Sequence, residues 1–319
     1  MIIFYSLVFI ASCLVFYFSG ELIVKSLIKV AKYLGWKEFV LSFIVMAFVA
    51  SFPNLFVGIS SALHGIPELA FGDIIGGNLV DLTLAIGLAA MFAKKGIPAK
   101  SRTIQATLFF TIIAAVLPLL LAYDHYLSRG DGIILILFFM LYVGWLFSKK
   151  ERFTKTCEEE KPRVKSFHGS LSGVFKIFFA IILFVIASEG VVRSATFFAQ
   201  TFNWPLLLIG LFVVGLGNCL PEIFFAVSSA KNNYGWMVLG DLMGAVVAPA
   251  TLVLGIVALI SPIHLNGLEY LAIARIFMFI SILFFFTFIK NDQKITKKEA
   301  VFLILIYIFF IISEVFVGL

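Results

Sequence analysis

The chain has 319 residues, 62% of them hydrophobic and 13% charged, with a formal net charge of +6. A soluble domain carries about a quarter charged residues, so this composition excludes one and supplies roughly ten spans of about 20 apolar residues. The apolar runs are continuous rather than alternating, which also excludes a membrane β-barrel.

The first predicted span covers about residues 2–30. It lacks the basic start of a signal peptide, and no small-residue cleavage site precedes Glu21, so it reads as a retained helix. Span 2, about 38–63, contains Ala50-Ser51-Phe52-Pro53-Asn54. Span 3, about 71–93, opens on Gly72-Asp73-Ile74-Ile75-Gly76-Gly77-Asn78-Leu79-Val80-Asp81. Spans at about 103–122 and 131–148 complete a first half. Residues 149–170 (KKERFTKTCEEEKPRVKSFHGS) mix both charge signs and are nearly free of apolar residues, as expected of a solvated cytoplasmic linker. The second half, 171–319, holds predicted spans at about 171–200, 205–230, 237–261, 266–289 and 299–317.

The two halves are copies. At one offset of 168 residues stand Pro53 and Pro221, Asp73 and Asp241, Trp36 and Trp204, Glu21 and Glu189, and Lys25 and Arg193. Ser60-Ser61-Ala62 repeats as Ser228-Ser229-Ala230, and Thr83-Leu84 as Thr251-Leu252. Polar residues kept inside apolar spans are costly, and their repetition is a transporter signature. Each half holds an odd number of spans, so the second must cross in the opposite sense. The expected fold is therefore all-α: about ten transmembrane helices in two inverted five-helix repeats, 1–148 and 171–319. Basic residues collect after spans 1, 3, 5 and 9, which places both termini outside by the positive-inside rule. They serve topology and lipid headgroups rather than nucleic acid.

Two polar patches per half carry the chemistry. In spans 2 and 7, Pro53 and Pro221 remove an amide hydrogen and free the carbonyls of Val49 and Gly217. A freed carbonyl needs a partner, which can be a cation or a neighbouring helix. Glu222 follows its proline directly, deep in a span, and needs a counter-ion or a proton. In spans 3 and 8, Asp73 and Asp241 stand where the helices are expected to begin. Two readings remain open for them, helix N-caps or ion ligands. Asp81 lies two turns deeper, beyond the reach of a cap.

These paired patches resemble the alpha repeats of the calcium/cation antiporter superfamily, which includes the sodium/calcium exchangers. The repeat pattern there is roughly G-[TN]-S-x-P-E, then G-N-x-x-G-S opening the next helix. Here G-N-C-L-P-E (217–222) matches well, while V-A-S-F-P-N (49–54) matches at Ser51 and Pro53 only. The resemblance covers nearly the whole chain. It implies four inward residues around a midplane site, here Asn54, Asp81, Glu222 and Pro249. Asn54 replaces the usual glutamate, Pro249 the usual Asn or Asp, and Cys219 a serine, whereas Asp81 stands where many members carry asparagine. Glu222 and Asp81 then supply a formal charge of about −2, with Asn54, Ser51 and Asn218 as neutral oxygens.

The reading that follows is a secondary antiporter exchanging calcium against sodium or protons by alternating access. A monovalent cation/proton exchanger is the alternative within the class, because carboxylates among neutral neighbours can also carry protons. A non-transporting ion-binding membrane protein of the same fold is the alternative outside it. No Walker pattern, metal-ligand spacing or histidine cluster appears, so no cofactor and no enzyme activity are expected. Cys13, Cys157 and Cys219 form no disulfide framework. Glu21/Lys25 and Glu189/Arg193 are i, i+4 pairs that neutralise each other, on helices the resemblance implies can slide. The short form points to a prokaryotic plasma membrane, and a monomer is compatible with the sequence.

Overall fold

The computed structural model describes residues 1–33, 51–94, 96–99, 102–148, 167–232, 234–265, 268–291 and 293–318. Val49, Trp36, Cys157, the first half of predicted span 2 and most of the linker lie outside the described residues.

The first half comprises α1 (Ile2–Tyr33), α2 (Phe52–Leu63), α3 (Glu68–Leu79), α4 (Ile86–Phe92), α5 (Arg102–Leu121) and α6 (Arg129–Ser148). Two-residue strands β1 (Ile97–Pro98) and β2 (Tyr126–Leu127) flank α5. The second half comprises α7 (Phe167–Phe202), α8 (Leu206–Ile209), α9 (Gly215–Asn218), α10 (Leu220–Lys231), α11 (Gly235–Ala248), α12 (Leu254–Ile260), α13 (Leu268–Asn291) and α14 (Lys297–Gly318). Strands β3 (Ile263–His264) and β4 (Lys294–Ile295) flank α13. Among the described residues, eight helical stretches are long and apolar enough to span a bilayer, and a bent pair, Leu206–Asn218 with Leu220–Lys231, makes a ninth. Helices satisfy their own backbone groups, which hydrocarbon cannot do for them.

Three helical stretches widen to π-turns: Val80–Ala85 between α3 and α4, Gly210–Val214 between α8 and α9, and Pro249–Val253 between α11 and α12. The first and third are repeat counterparts, and each is braced alike. The Thr83 hydroxyl donates to the Leu79 carbonyl, and Thr251 to the Val247 carbonyl at 2.6 Å. A π-turn interrupts the regular ladder and marks functional positions in many helices. Here it absorbs Pro249, whose missing N–H would otherwise break an α-helix.

The stretches α3–α4 and α11–α12 form the centre, buried on nearly every side, while α1, α6 and α7 present Phe, Ile and Leu outward. The halves interlock rather than sit side by side. Helix α3 runs against the α8–α9 stretch, α2 packs on α12, and α10 packs on α4. Backbone touches backbone at the first of these contacts. A Cβ at Gly210 would come within 2.5 Å of the Leu69 carbonyl oxygen and 2.9 Å of the Gly72 Cα, and one at Gly76 would fall on the Leu211 carbonyl. Only glycine permits that approach.

The repeat relation is visible in two small ladders. β1 pairs antiparallel with β4, and β2 with β3. Shifted by 168 residues, β2 becomes β4, and β1 falls two residues beyond β3. Each ladder therefore joins the two halves. The ladders stand at opposite ends of the 20-residue α5, about 30 Å apart at 1.5 Å per residue. The operation that relates the halves thus exchanges the two ends of the molecule. Phe16 and Phe184, counterparts on α1 and α7, stack at 5.4 Å where these long helices cross.

Candidate ion-binding site

The polar patches meet where α3 crosses the break between α9 and α10. The chain bends by 41° at that break, and Cys219 stands in it. Pro221 sits in the first turn of the new helix α10, and Pro53 in the first turn of α2. Pro221 therefore restarts a helix rather than kinking a continuous one, and both prolines stand where a missing N–H costs nothing. The Gly217 carbonyl still lacks the amide that would bond it in an unbroken helix. Ser51 is buried at the start of α2, and Asn54, one turn along, is half-buried at the counterpart position of Glu222.

Asp73 and Asp241 do not begin their helices. α3 starts at Glu68 and α11 at Gly235, and the residues at their N-caps are Pro67 and Tyr234. The capping reading fails because the helices begin five residues before Asp73 and six before Asp241, about one and a half turns in each case. Asp73 is instead 1% exposed inside the molecule, and Asn218 Nδ2 donates to both its carboxylate oxygens at 3.0 and 3.1 Å. That bond joins the first half's second patch to the second half's first patch. The Asn218 side-chain oxygen then has no hydrogen-bond partner among the described residues.

Asp81 lies in the π-turn after α3, 3% exposed, with one carboxylate oxygen lacking a hydrogen-bond partner. Glu222 and Asp241 each hold one oxygen in the same condition, as does the Asn78 amide nitrogen. Asp241 and Glu222 are both electrostatic neighbours of Asp81, and Glu222 also faces Asp73. The Cys219 thiol lies beside Asp81 and reaches the Gly77 carbonyl oxygen at 3.6 Å. Four carboxylates, two from each half, therefore gather in one region, Asp73 and Asp81 buried and Glu222 and Asp241 half-buried, where the spacing of the patches had given two as direct ligands. No basic group is among their charged neighbours in the described residues.

Such a cluster is unstable unless something neutralises it, because buried like charges repel in a medium that screens poorly. Among the described residues no three carboxylate, thiol or imidazole groups converge to ligand distance in this conformation. Asn78 and the bidentate Asn218–Asp73 bond were not singled out by spacing. Asn78 sits in the G-G-N segment of the second patch, which was the available signal.

The sequence profile of the family described as sodium/calcium exchanger protein matches residues 4–148 and again residues 172–316. Inner membrane protein YrbG of Escherichia coli is 27% identical over 284 residues, spanning 86% of each chain. The sodium/calcium exchanger MaX1 of Methanosarcina acetivorans is 24% identical over 343 aligned residues, spanning 94% of this chain and 95% of its own. Among solved structures, the sodium-calcium exchanger NCX_Mj superposes with a TM-score of 0.66 at 22% identity, covering 98% of this chain and 99% of the other. The H+/Ca2+ exchanger CAX superposes with a TM-score of 0.73 at 17% identity, covering 98% and 86%.

Proposed function

The chain belongs to the sodium/calcium exchanger family of membrane cation antiporters, and we propose that it exchanges calcium against sodium by alternating access at the carboxylate cluster. The observation that carries this reading is the set of Asp73 and Asp81, buried, with Glu222 and Asp241, half-buried, gathered without a basic neighbour among the described residues. Cations that enter and leave supply the missing charge. Glu222 and Asp81 bind the ion directly, and Asn54, Ser51, Asn218 and the carbonyls of Gly217 and Val49 add neutral oxygens. Asp73 and Asp241 extend the site rather than cap helices. Calcium takes six to eight oxygens, a number these groups can supply. Competition of calcium and sodium for the same carboxylates couples the two fluxes. The similarity to the sodium/calcium exchanger MaX1, which spans 95% of that protein, supports sodium as the counter-ion.

A second reading replaces sodium by protons. It draws on the number of carboxylates, which exceeds the charge of one calcium, and on the likeness to the fold of CAX. On the basic-residue pattern both termini lie outside a plasma membrane.

Calcium-45 uptake into sodium-loaded proteoliposomes tests both. Uptake driven by an outward sodium gradient and lost in Glu222→Gln and Asp81→Asn supports sodium/calcium exchange. Uptake driven by a proton gradient alone supports the second reading. Absence of calcium flux under either gradient sinks both and directs attention to monovalent cations.

A further inference from the structure

The second half lacks a hydroxyl that the first half has. Ser51, buried at the start of α2, has Cys219 as its counterpart in the break before α10, so a thiol stands where the first half keeps an alcohol. A thiol is a weak donor and a poor partner for a hard cation. Another pair of counterparts differs in the opposite sense. Phe139 of α6 corresponds to Tyr307 of α14, and the phenol oxygen is the whole difference between these side chains. Across the two pairs each half keeps one hydroxyl, Ser51 beside a phenylalanine position and Tyr307 beside a cysteine position.

The packing puts Tyr307 where that exchange matters. α14 runs against the π-turn Val80–Ala85 that holds Asp81, as α6 runs against the counterpart π-turn Pro249–Val253. The inward stripe of α14 is Ala300, Leu303, Tyr307, Phe310 and Glu314, all buried. Phe310, one turn beyond Tyr307, meets Phe212 of the π-turn Gly210–Val214 at 5.4 Å. Tyr307 itself is 4% exposed, and its hydroxyl has no hydrogen-bond partner among the described residues. Cys219 is its electrostatic neighbour. The Cys219 sulfur in turn lies beside Asp81, one of whose oxygens is also unpartnered. Phe139 fills the same position in the first half, packed with Val247 and Ala248. A buried hydroxyl without a partner costs free energy that a phenylalanine avoids. Tyr307 carries that cost next to the one site position where a hydroxyl has been lost.

We propose that Tyr307 is a positioning residue of the ion site. When the ligands close on a cation, its O–H donates to the Cys219 sulfur, whose own S–H is thereby directed to one oxygen of Asp81, leaving the other oxygen to the cation. The second half thus recovers from α14 the hydroxyl that position 219 has lost. A donor chain of this kind polarises the thiol and holds the carboxylate in one orientation. This inference rests on the exchange reading for the place of the site, not for the identity of the ion.

The test compares four forms of the full chain in detergent: the parent, Tyr307→Phe, Cys219→Ser and the double variant. Calorimetry reads calcium binding, and the melting temperature is taken with and without calcium. Tyr307→Phe is expected to weaken calcium binding about three- to tenfold, the worth of one hydrogen bond. The melting temperature of the ion-free protein should not fall, because the hydroxyl is unpartnered in that state. In the Cys219→Ser background the same change should matter by less than about twofold, since serine returns a donor to the break itself. Tyr307→Phe that binds calcium as the parent does overturns the proposal, and a lowered ion-free melting temperature beside it makes Tyr307 a core residue only. Equal losses in both backgrounds overturn it too, because the hydroxyl then does not act through position 219. If the parent binds no calcium, the calcium assignment falls, and sodium titration of the same four forms decides the role of the hydroxyl. Binding of neither ion by the parent overturns the exchange reading and this inference together.

Discussion

Asp73 is the sixth residue of α3, and its two carboxylate oxygens accept from the Asn218 amide nitrogen at 3.0 and 3.1 Å across the junction of the halves. Sequence spacing left it between a cap and a ligand, because nothing local tells where an apolar helix begins when its first turn is also apolar. Burial and the bidentate bond remove the first option. At this scale two outcomes are expected. Glu222→Gln and Asp81→Asn each take away a charged ligand worth about 1.5–3 kcal/mol, hence about 10- to 100-fold in calcium affinity. Calcium titration of the purified protein by calorimetry checks that figure, and an unchanged Kd removes the residue from the site. Asp73→Asn keeps the shape but presents an amide to the Asn218 amide. It should weaken calcium binding and also lower the melting temperature, because one buried donor then lacks an acceptor. A variant that binds and melts as the parent would show that this bond neither orders the site nor serves it.

The helix break and the π-turns decide how the side chains are presented. Pro53 and Pro221 were readable as interruptions, and the repeat made them a pair. Their form was not readable. A proline in an apolar run predicts a kink, whereas the structure stops the helix at Cys219 and starts another with the proline in its first turn. The deciding factor is the neighbour. α3 runs so close to α8–α9 that its glycines meet backbone atoms, and a continuous straight helix would not follow that surface. Gly76→Ala is therefore expected to destabilise the protein by at least about 1–3 kcal/mol, since the added methyl would lie on the Leu211 carbonyl. Thermal unfolding in detergent measures it. A neutral result would mean that the two helices separate at little cost.

At the scale of the whole molecule, the halves cross-link through both ladders and through the α3, α2 and α10 contacts. Neither half encloses its own central helix. Residues 1–148 and 171–319 expressed as separate chains should each be degraded alone and should copurify when coexpressed, as pull-down with one tagged half would show. Stable accumulation of a single half would contradict the interlocked packing.

Composition and the 168-residue repeat determined, from sequence alone, the membrane class, the helical fold, the two halves and the pairing of the polar patches. These properties follow from hydropathy and from identity at a fixed offset, both of which are local or linear in the chain. The choice of Asp241 as a neighbour of Asp81 rather than a helix cap, the Asn218–Asp73 bond, the π-turns at Val80–Ala85 and Pro249–Val253, and the contact of Glu189 with His64 came only from the tertiary structure. Each depends on which surfaces meet when the halves interlock. An inverted repeat fixes that two such meetings are available, and only the packed molecule chooses which one is made.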